Sequence, residues 1–264
     1  MKNSPASSRN SSVKPGEIYQ LGVHRIACGS SSDVGLLKKL IGTEKIGLLL
    51  CDPPYSVDAT ASKRGFKQKL GNDRDIINDH IQTDAEYKAF SKAWLGALVP
   101  YFAKKNSCYI FNADKMIFAL RDAMLEEGYK FAQLIIWIKN HAVVGRLDYL
   151  PQHELLAYGW LGTHKFMKSK DKSILFYPKP SKSGLHPSMK PVGLLRRIIL
   201  NSSTIGDVIF DGYLGSGSTL IAAEDTKRRC YGVEIDPEYI MTVIDRFEKK
   251  TGIKAVKIAT YAQE

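Results

Sequence analysis

Asp207-Val208-Ile209-Phe210-Asp211-Gly212-Tyr213-Leu214-Gly215-Ser216-Gly217-Ser218-Thr219 carries an apolar strand into a glycine-rich turn, and a helix follows through Glu224. Arg229–Glu234 then reads as the next strand, so the unit is βαβ with an acidic residue, Glu234, closing its second strand. Glycines in such a turn let the backbone approach a ligand closely, and the acid is placed to accept the hydroxyls of a ribose. A lone G-x-G is often no more than a tight turn. Gly215 and Gly217 supply that pair without the third glycine of a dinucleotide site, and Glu234 at the right distance favours nucleotide-type binding without naming the nucleotide.

Upstream of this unit, strand and helix patterns alternate, as a doubly wound α/β sheet requires. Glu17–Leu21 and His24–Cys28 read as a short hairpin, Asp33–Leu40 as a helix, and Ile46–Cys51 as a buried parallel strand. Further on, the pattern predicts a helix over Ala85–Leu98, a strand over Ser107–Phe111, a helix over Lys115–Glu127 and strands over Phe131–Ile138 and His153–Trp160. A helix is expected from Pro191 to about Asn201. Residues 1–14 are rich in Ser and Asn and read as a disordered tail, leaving 15–264 as a single domain. Within it, residues 56–79 read as a basic loop and 139–185 as an irregular basic insertion suited to target recognition.

The formal net charge of +11 raises the question of a polyanionic partner, and nucleic acid is the commonest one. Hydrophobic residues at 44% and aromatics at 10% support a packed core. No run approaches the roughly 20 apolar residues of a membrane span, and residues 1–14 lack the apolar stretch of a secretory signal. Cys28, Cys51, Cys108 and Cys230 are scattered and lack a metal-type C-x-x-C pair, which predicts buried reduced thiols, a cytoplasmic setting and no metal site.

The strand Ile46–Cys51 empties into Asp52-Pro53-Pro54-Tyr55, and His186-Pro187-Ser188-Met189-Lys190-Pro191-Val192 precedes the glycine turn. Asp52–Tyr55 resembles the D/N/S-P-P-Y/F/W motif of DNA amino-methyltransferases, and His186–Val192 resembles their H-P-x-x-K-P-x segment. The order of motifs, amine loop before cofactor turn, is similar to that of the beta group. The resemblance spans about His24 to Phe247 and implies a Rossmann-like S-adenosylmethionine (AdoMet) methyltransferase fold, with a mostly parallel seven-stranded sheet and helices on both faces.

It implies further that Asp52 and the Pro53 carbonyl accept hydrogen bonds from the target amine, that Pro54 stiffens the loop, and that Tyr55 stacks on a flipped base. Asp211, Tyr213, Gly215, Ser216, Gly217, Glu234, Asp236 and Lys190 are the expected cofactor contacts. Gly29-Ser30 stands where such enzymes commonly have Gly-Asp, with Asp33 the nearest acid, and Tyr213 where Phe is usual. Lys63, Arg64, Lys67 and Lys69, with Lys165, Lys168 and Lys170, are the expected phosphate contacts. Cytosine C5 chemistry would need a cysteine after a proline, and none of the four has one.

Asp at position 52 favours adenine N6. Cytosine N4, an RNA substrate and a DNA-binding homologue with impaired catalysis are the alternatives. Besides DNA, a second copy of the chain and a cognate restriction endonuclease are partners to consider. His153-Glu154 and Trp137-Ile138-Lys139 carry no catalytic assignment, since a histidine on an apolar strand is more often a satisfied core residue.

Overall fold

A computed structural model describes residues 12–55, 83–142, 148–167, 171–179 and 189–262. The elements in chain order are β1 (Glu17–Leu21), β2 (His24–Cys28), α1 (Val34–Ile41), β3 (Ile46–Cys51), α2 (Asp84–Leu98), β4 (Phe102–Asn112), α3 (Ile117–Glu126), β5 (Tyr129–Ile138) and β6 (His153–Leu161). They continue with β7 (Thr163–His164), β8 (Ile174–Phe176), α4 (Val192–Ser202), β9 (Val208–Asp211), α5 (Ser218–Asp225), β10 (Arg229–Glu234), α6 (Pro237–Thr251) and β11 (Val256–Thr260).

The strands form one sheet in the order β11-β1-β2-β10-β9-β3-β4-β6-β5-β8, with β7 beside β4. Its centre, β2-β10-β9-β3-β4, is parallel throughout. The flanks are not, since β1 pairs antiparallel with β2 and β11, and β6 lies antiparallel between β4 and β5. Among the described residues the sheet therefore has eleven strands rather than seven. The additions are short or at the margin: β8 has three residues and β11 is largely exposed.

Every residue of β3 is buried, because a central parallel strand is covered on both faces. Its side chains alternate accordingly: Ile46, Leu49 and Cys51 join one core with Leu37 of α1, Trp94 of α2 and Leu120 of α3. Leu48 and Leu50 join a second core with Ile198 of α4, Leu220 of α5 and Phe247 of α6. Among the described residues, helices thus cover both faces, three to a side, and burial of each large side chain contributes roughly 1.5–3 kcal/mol.

Local signals start the helices where expected. Asp33 caps α1 by accepting from Leu36 N at 2.9 Å, and Thr83 with Glu86 forms a capping box on α2. Within 139–185, β6 forms where a strand was expected, and the short β7 and β8, which were not expected, also join the sheet. Gly159 of β6 is required by a close approach, since a Cβ there would stand 1.9 Å from Lys130 O of β5. Of the segment expected to be a tail, residues 12–14 are described, and Val13 is already buried in the second core. All four cysteines are free and buried.

Candidate active site

Five parallel strands end at one edge of the sheet, so Gly29, Asp52, Asn112, Asp211 and Glu234 emerge on the same side. β3 and β9 are neighbours, with Leu49 opposite Phe210, and the strand order reverses between them. Such a switch point opens a crevice at the carboxyl ends of the strands, the usual ligand position in this architecture. The proline loop and the glycine turn leave adjacent strands in the same direction.

The turn is shaped mainly by backbone groups. Tyr213 N donates to Asp211 Oδ1 at 3.0 Å, Gly217 N to Leu214 O at 2.7 Å, and Gly215 N to Glu234 Oε2 at 2.7 Å. Glu234 Oε1 accepts from Asp236 N at 3.0 Å. Gly217 starts α5 in the left-handed region, φ +78°, and a Cβ there would meet Val243 Cγ1 at 2.9 Å. From α6, Arg246 donates to Ser216 O at 2.9 Å and approaches Ser218 Oγ at 3.2 Å, a support the motif did not reveal.

Two buried carboxylates face this turn. Burial raises the Asp211 pKa to about 7, with hydrogen bonds from Thr219 and Tyr213 opposing and the charges of Asp52 and Glu234 adding to the rise. Burial also raises Glu234, against the N–H groups of Asp236 and Gly215. Two carboxylates whose charged forms burial disfavours, beside a glycine cradle, suit a ligand that brings positive charge, and a sulfonium nucleoside fits that donor set. Asp236 caps α6, accepting from Glu238 N at 2.8 Å. The half-buried Tyr213 ring meets Trp94 edge-on at 5.6 Å.

The proline loop is held by side chains instead. Asp52 follows β3 directly; Pro53 is buried, Pro54 is half-buried, and half-buried Tyr55 packs on the first core. Lys190, expected on the cofactor side, places its ammonium against Asp52 Oδ2 and 3.0 Å from Glu154 Oε2. Lys139 Nζ lies 2.8 Å from Glu154 Oε1. Burial works against the charge of Lys190, but Asp52 and Glu154 outweigh it and raise its pKa. Burial likewise opposes the Glu154 carboxylate, yet Lys190 and Lys139 bring its pKa down to about 2.

Lys139 and Glu154 thus belong to the site although the sequence reading left both without a role. The antiparallel register sets Trp137 opposite Glu154 and leads Lys139 back beside it. Charged residues just beyond or within apolar strand patterns were the available signal. Their neighbour His153 is exposed rather than a core residue.

The expected phosphate contacts divide. Lys63, Arg64, Lys67, Lys69, Lys168 and Lys170 lie outside the described residues, as do His186, Pro187 and Ser188. Lys165 is a correction: its ammonium pairs with Asp207 at 2.5 Å, at the start of β9 and so at the end of the sheet opposite Asp52. Asp33, the acid nearest Gly29-Ser30, is committed to capping α1.

A switch-point crevice with a glycine turn on one lip and a rigid acidic proline loop on the other defines the class of amino-methyltransferases with a nucleotide-type donor site. The model of the N6- and N4-type DNA methylase family matches residues 46–245. The type II methyltransferase M2.DpnII of Streptococcus pneumoniae is 25% identical over 224 residues, covering 78% of this chain and 83% of its own. Two solved structures share the fold. The PvuII DNA methyltransferase, described as cytosine-N4-specific, superposes with TM-score 0.68 at 17% identity over 86% of this chain and 87% of its own. The M1.HpyAVI–SAM complex gives TM-score 0.61 at 21% identity over 84% of this chain and 98% of its own. The chain belongs to the N6/N4 DNA methylase family: it is a DNA methyltransferase of the kind that modifies adenine N6 or cytosine N4.

Proposed function

We propose that the protein methylates the exocyclic N6 of adenine in a base flipped out of DNA. The observation that carries this reading is the adjacency of the Asp52 loop and the Asp211–Gly217 turn on β3 and β9. AdoMet, when bound, supplies an electrophilic sulfonium methyl group. Gly215 and Gly217 would let the turn come close to the donor, Glu234 would accept from its ribose hydroxyls, and Asp211 would add negative charge to the donor side of the crevice.

The target nitrogen is a weak nucleophile because its lone pair is delocalised into the ring. Asp52 and the Pro53 carbonyl accept its two N–H bonds, which favours a pyramidal nitrogen with the lone pair available. Pro54 keeps the loop stiff, and Tyr55 stacks on the extruded base, offsetting part of the few kcal/mol that unstacking costs. Lys63, Arg64, Lys67, Lys69, Lys168 and Lys170 contact phosphates, a sequence-independent hold on the duplex.

Asp rather than Ser at position 52 is the reason for choosing adenine. The test is to methylate duplex DNA with labelled AdoMet, digest it and identify the modified nucleoside by mass spectrometry. N6-methyl-2′-deoxyadenosine is expected, and N4-methyl-2′-deoxycytidine would overturn the choice of base.

A further inference from the structure

We propose that Glu154 and Lys139 are positioning residues for methyl transfer: they lock the Lys190 ammonium in place, so that Asp52 is presented to the target amine in a single orientation. The inference rests on the reading of Asp52 as the acceptor of that amine.

Four charged side chains run in alternating sign across the sheet, from Lys139 beyond β5, to Glu154 on β6, to Lys190 before α4, to Asp52 beyond β3. Lys139 and Lys190 are 5% and 6% exposed, so both ammoniums depend on these carboxylates rather than on water. The arrangement is balanced, two charges of each sign. Replacing such a buried set with apolar side chains is often neutral or stabilising, so it is weak evidence of a purely structural purpose. Perturbed buried charges at the mouth of a crevice point instead to function.

Aromatic rings limit where the ammoniums can go. Phe111 of β4 lies 4.9 Å from Lys190 Nζ and Trp137 of β5 lies 5.5 Å from Lys139 Nζ. The two rings meet edge-on at 6.3 Å, and Trp137 is fixed by donating to Tyr177 O at 2.7 Å. Lys190 Nζ therefore has the Phe111 ring, Asp52 and Glu154 all within contact distance. Glu154 restrains the ammonium from swinging across the Asp52 carboxylate, where it would compete with the amine for acceptor oxygens. The charged groups around Lys190 are Asp52 and Glu154 directly and Lys139 behind Glu154, with Asp211 close enough to Asp52 to feel its charge.

The experiment compares the full-length wild type with Glu154→Gln, the charge-balanced pair Glu154→Gln with Lys139→Met, and Asp52→Ala. It uses labelled AdoMet and duplex DNA over a range of pH. For Glu154→Gln, kcat is expected to fall about 10- to 100-fold, the scale of loss when a partner that orients a reacting group is removed, with the KM for AdoMet unchanged. Loss of one carboxylate leaves burial less opposed at Lys190, so the basic limb of the pH profile moves to lower pH. The double variant, relieved of the Lys139 charge, is displaced less than Glu154→Gln.

Wild-type kcat and an unmoved basic limb in Glu154→Gln, or a loss confined to the KM for AdoMet, would overturn the proposal. If Glu154→Gln does not fold, the double variant decides it on the same two readouts. An inactive Asp52→Ala beside a normal Glu154→Gln refutes only the positioning role, whereas an active Asp52→Ala refutes the underlying reading of Asp52.

Discussion

The two lips of the crevice are built by different means. On the β9 side, one βαβ unit shapes the turn through its own backbone, with Gly215 N reaching a carboxylate only 19 residues ahead. On the β3 side, side chains from distant segments hold the proline loop, and Lys190 meets Asp52 across 138 residues. The donor lip is therefore sensitive to backbone shape, and the amine lip to charge. Substitutions on the two sides should separate donor binding from chemistry.

The largest separation is expected at Asp52→Ala. Removing one preorganised group at a reacting centre costs about 10²–10³ in kcat, while AdoMet binding measured by calorimetry should be unchanged. A parallel loss of AdoMet affinity would mean that the lips are one unit and would break the comparison. Gly217→Ala is its counterpart. Its left-handed backbone and the 2.9 Å approach to Val243 force either strain or a shift of α5. Strain of this kind costs on the order of 1–3 kcal/mol, so a lower melting temperature and roughly tenfold weaker AdoMet binding are expected, with most of kcat kept at saturating donor. Unchanged affinity would show that the turn tolerates a side chain.

The same division decides what could be read from sequence. The glycine turn, Glu234 and the Asp52 loop were legible because each is a local pattern with a local reason. Ile46–Cys51 and Arg229–Glu234 are assigned to the residue, since buried parallel strands leave unbroken apolar runs. Lys139 and Glu154 were not legible, because only the β5–β6 register brings them together and no spacing along the chain encodes it. Lys165 failed for the complementary reason: a count of basic residues cannot tell a lysine facing phosphate from one already paired with an aspartate. Arg246, reaching back from α6 to hold Ser216, is another contact that only the packed structure shows.

The two lips should also respond to pH in opposite directions, with effects of at most about 1.4 kcal/mol per pH unit for each group. Asp211 has its folded pKa raised from 3.8 to about 7, so the folded state binds the extra proton between those values. Its contribution is present at low pH and is lost as pH rises through that window. Glu154 has its folded pKa lowered from 4.5 to about 2. Its contribution is present above 4.5 and disappears as pH falls towards 2. Thermal melts without AdoMet from pH 3 to 8 should therefore show Asp211→Asn gaining on wild type as pH rises from about 4 to 7. The stability deficit of Glu154→Gln should shrink as pH falls below about 4.5. A bound cation favours the Asp211 carboxylate, so AdoMet binding should release protons near pH 7 and tighten as pH rises through it, and Asp211→Asn should abolish that slope. A slope that survives the substitution would assign the linked proton to another group, with Glu234, the second buried acid on that lip, the next to substitute.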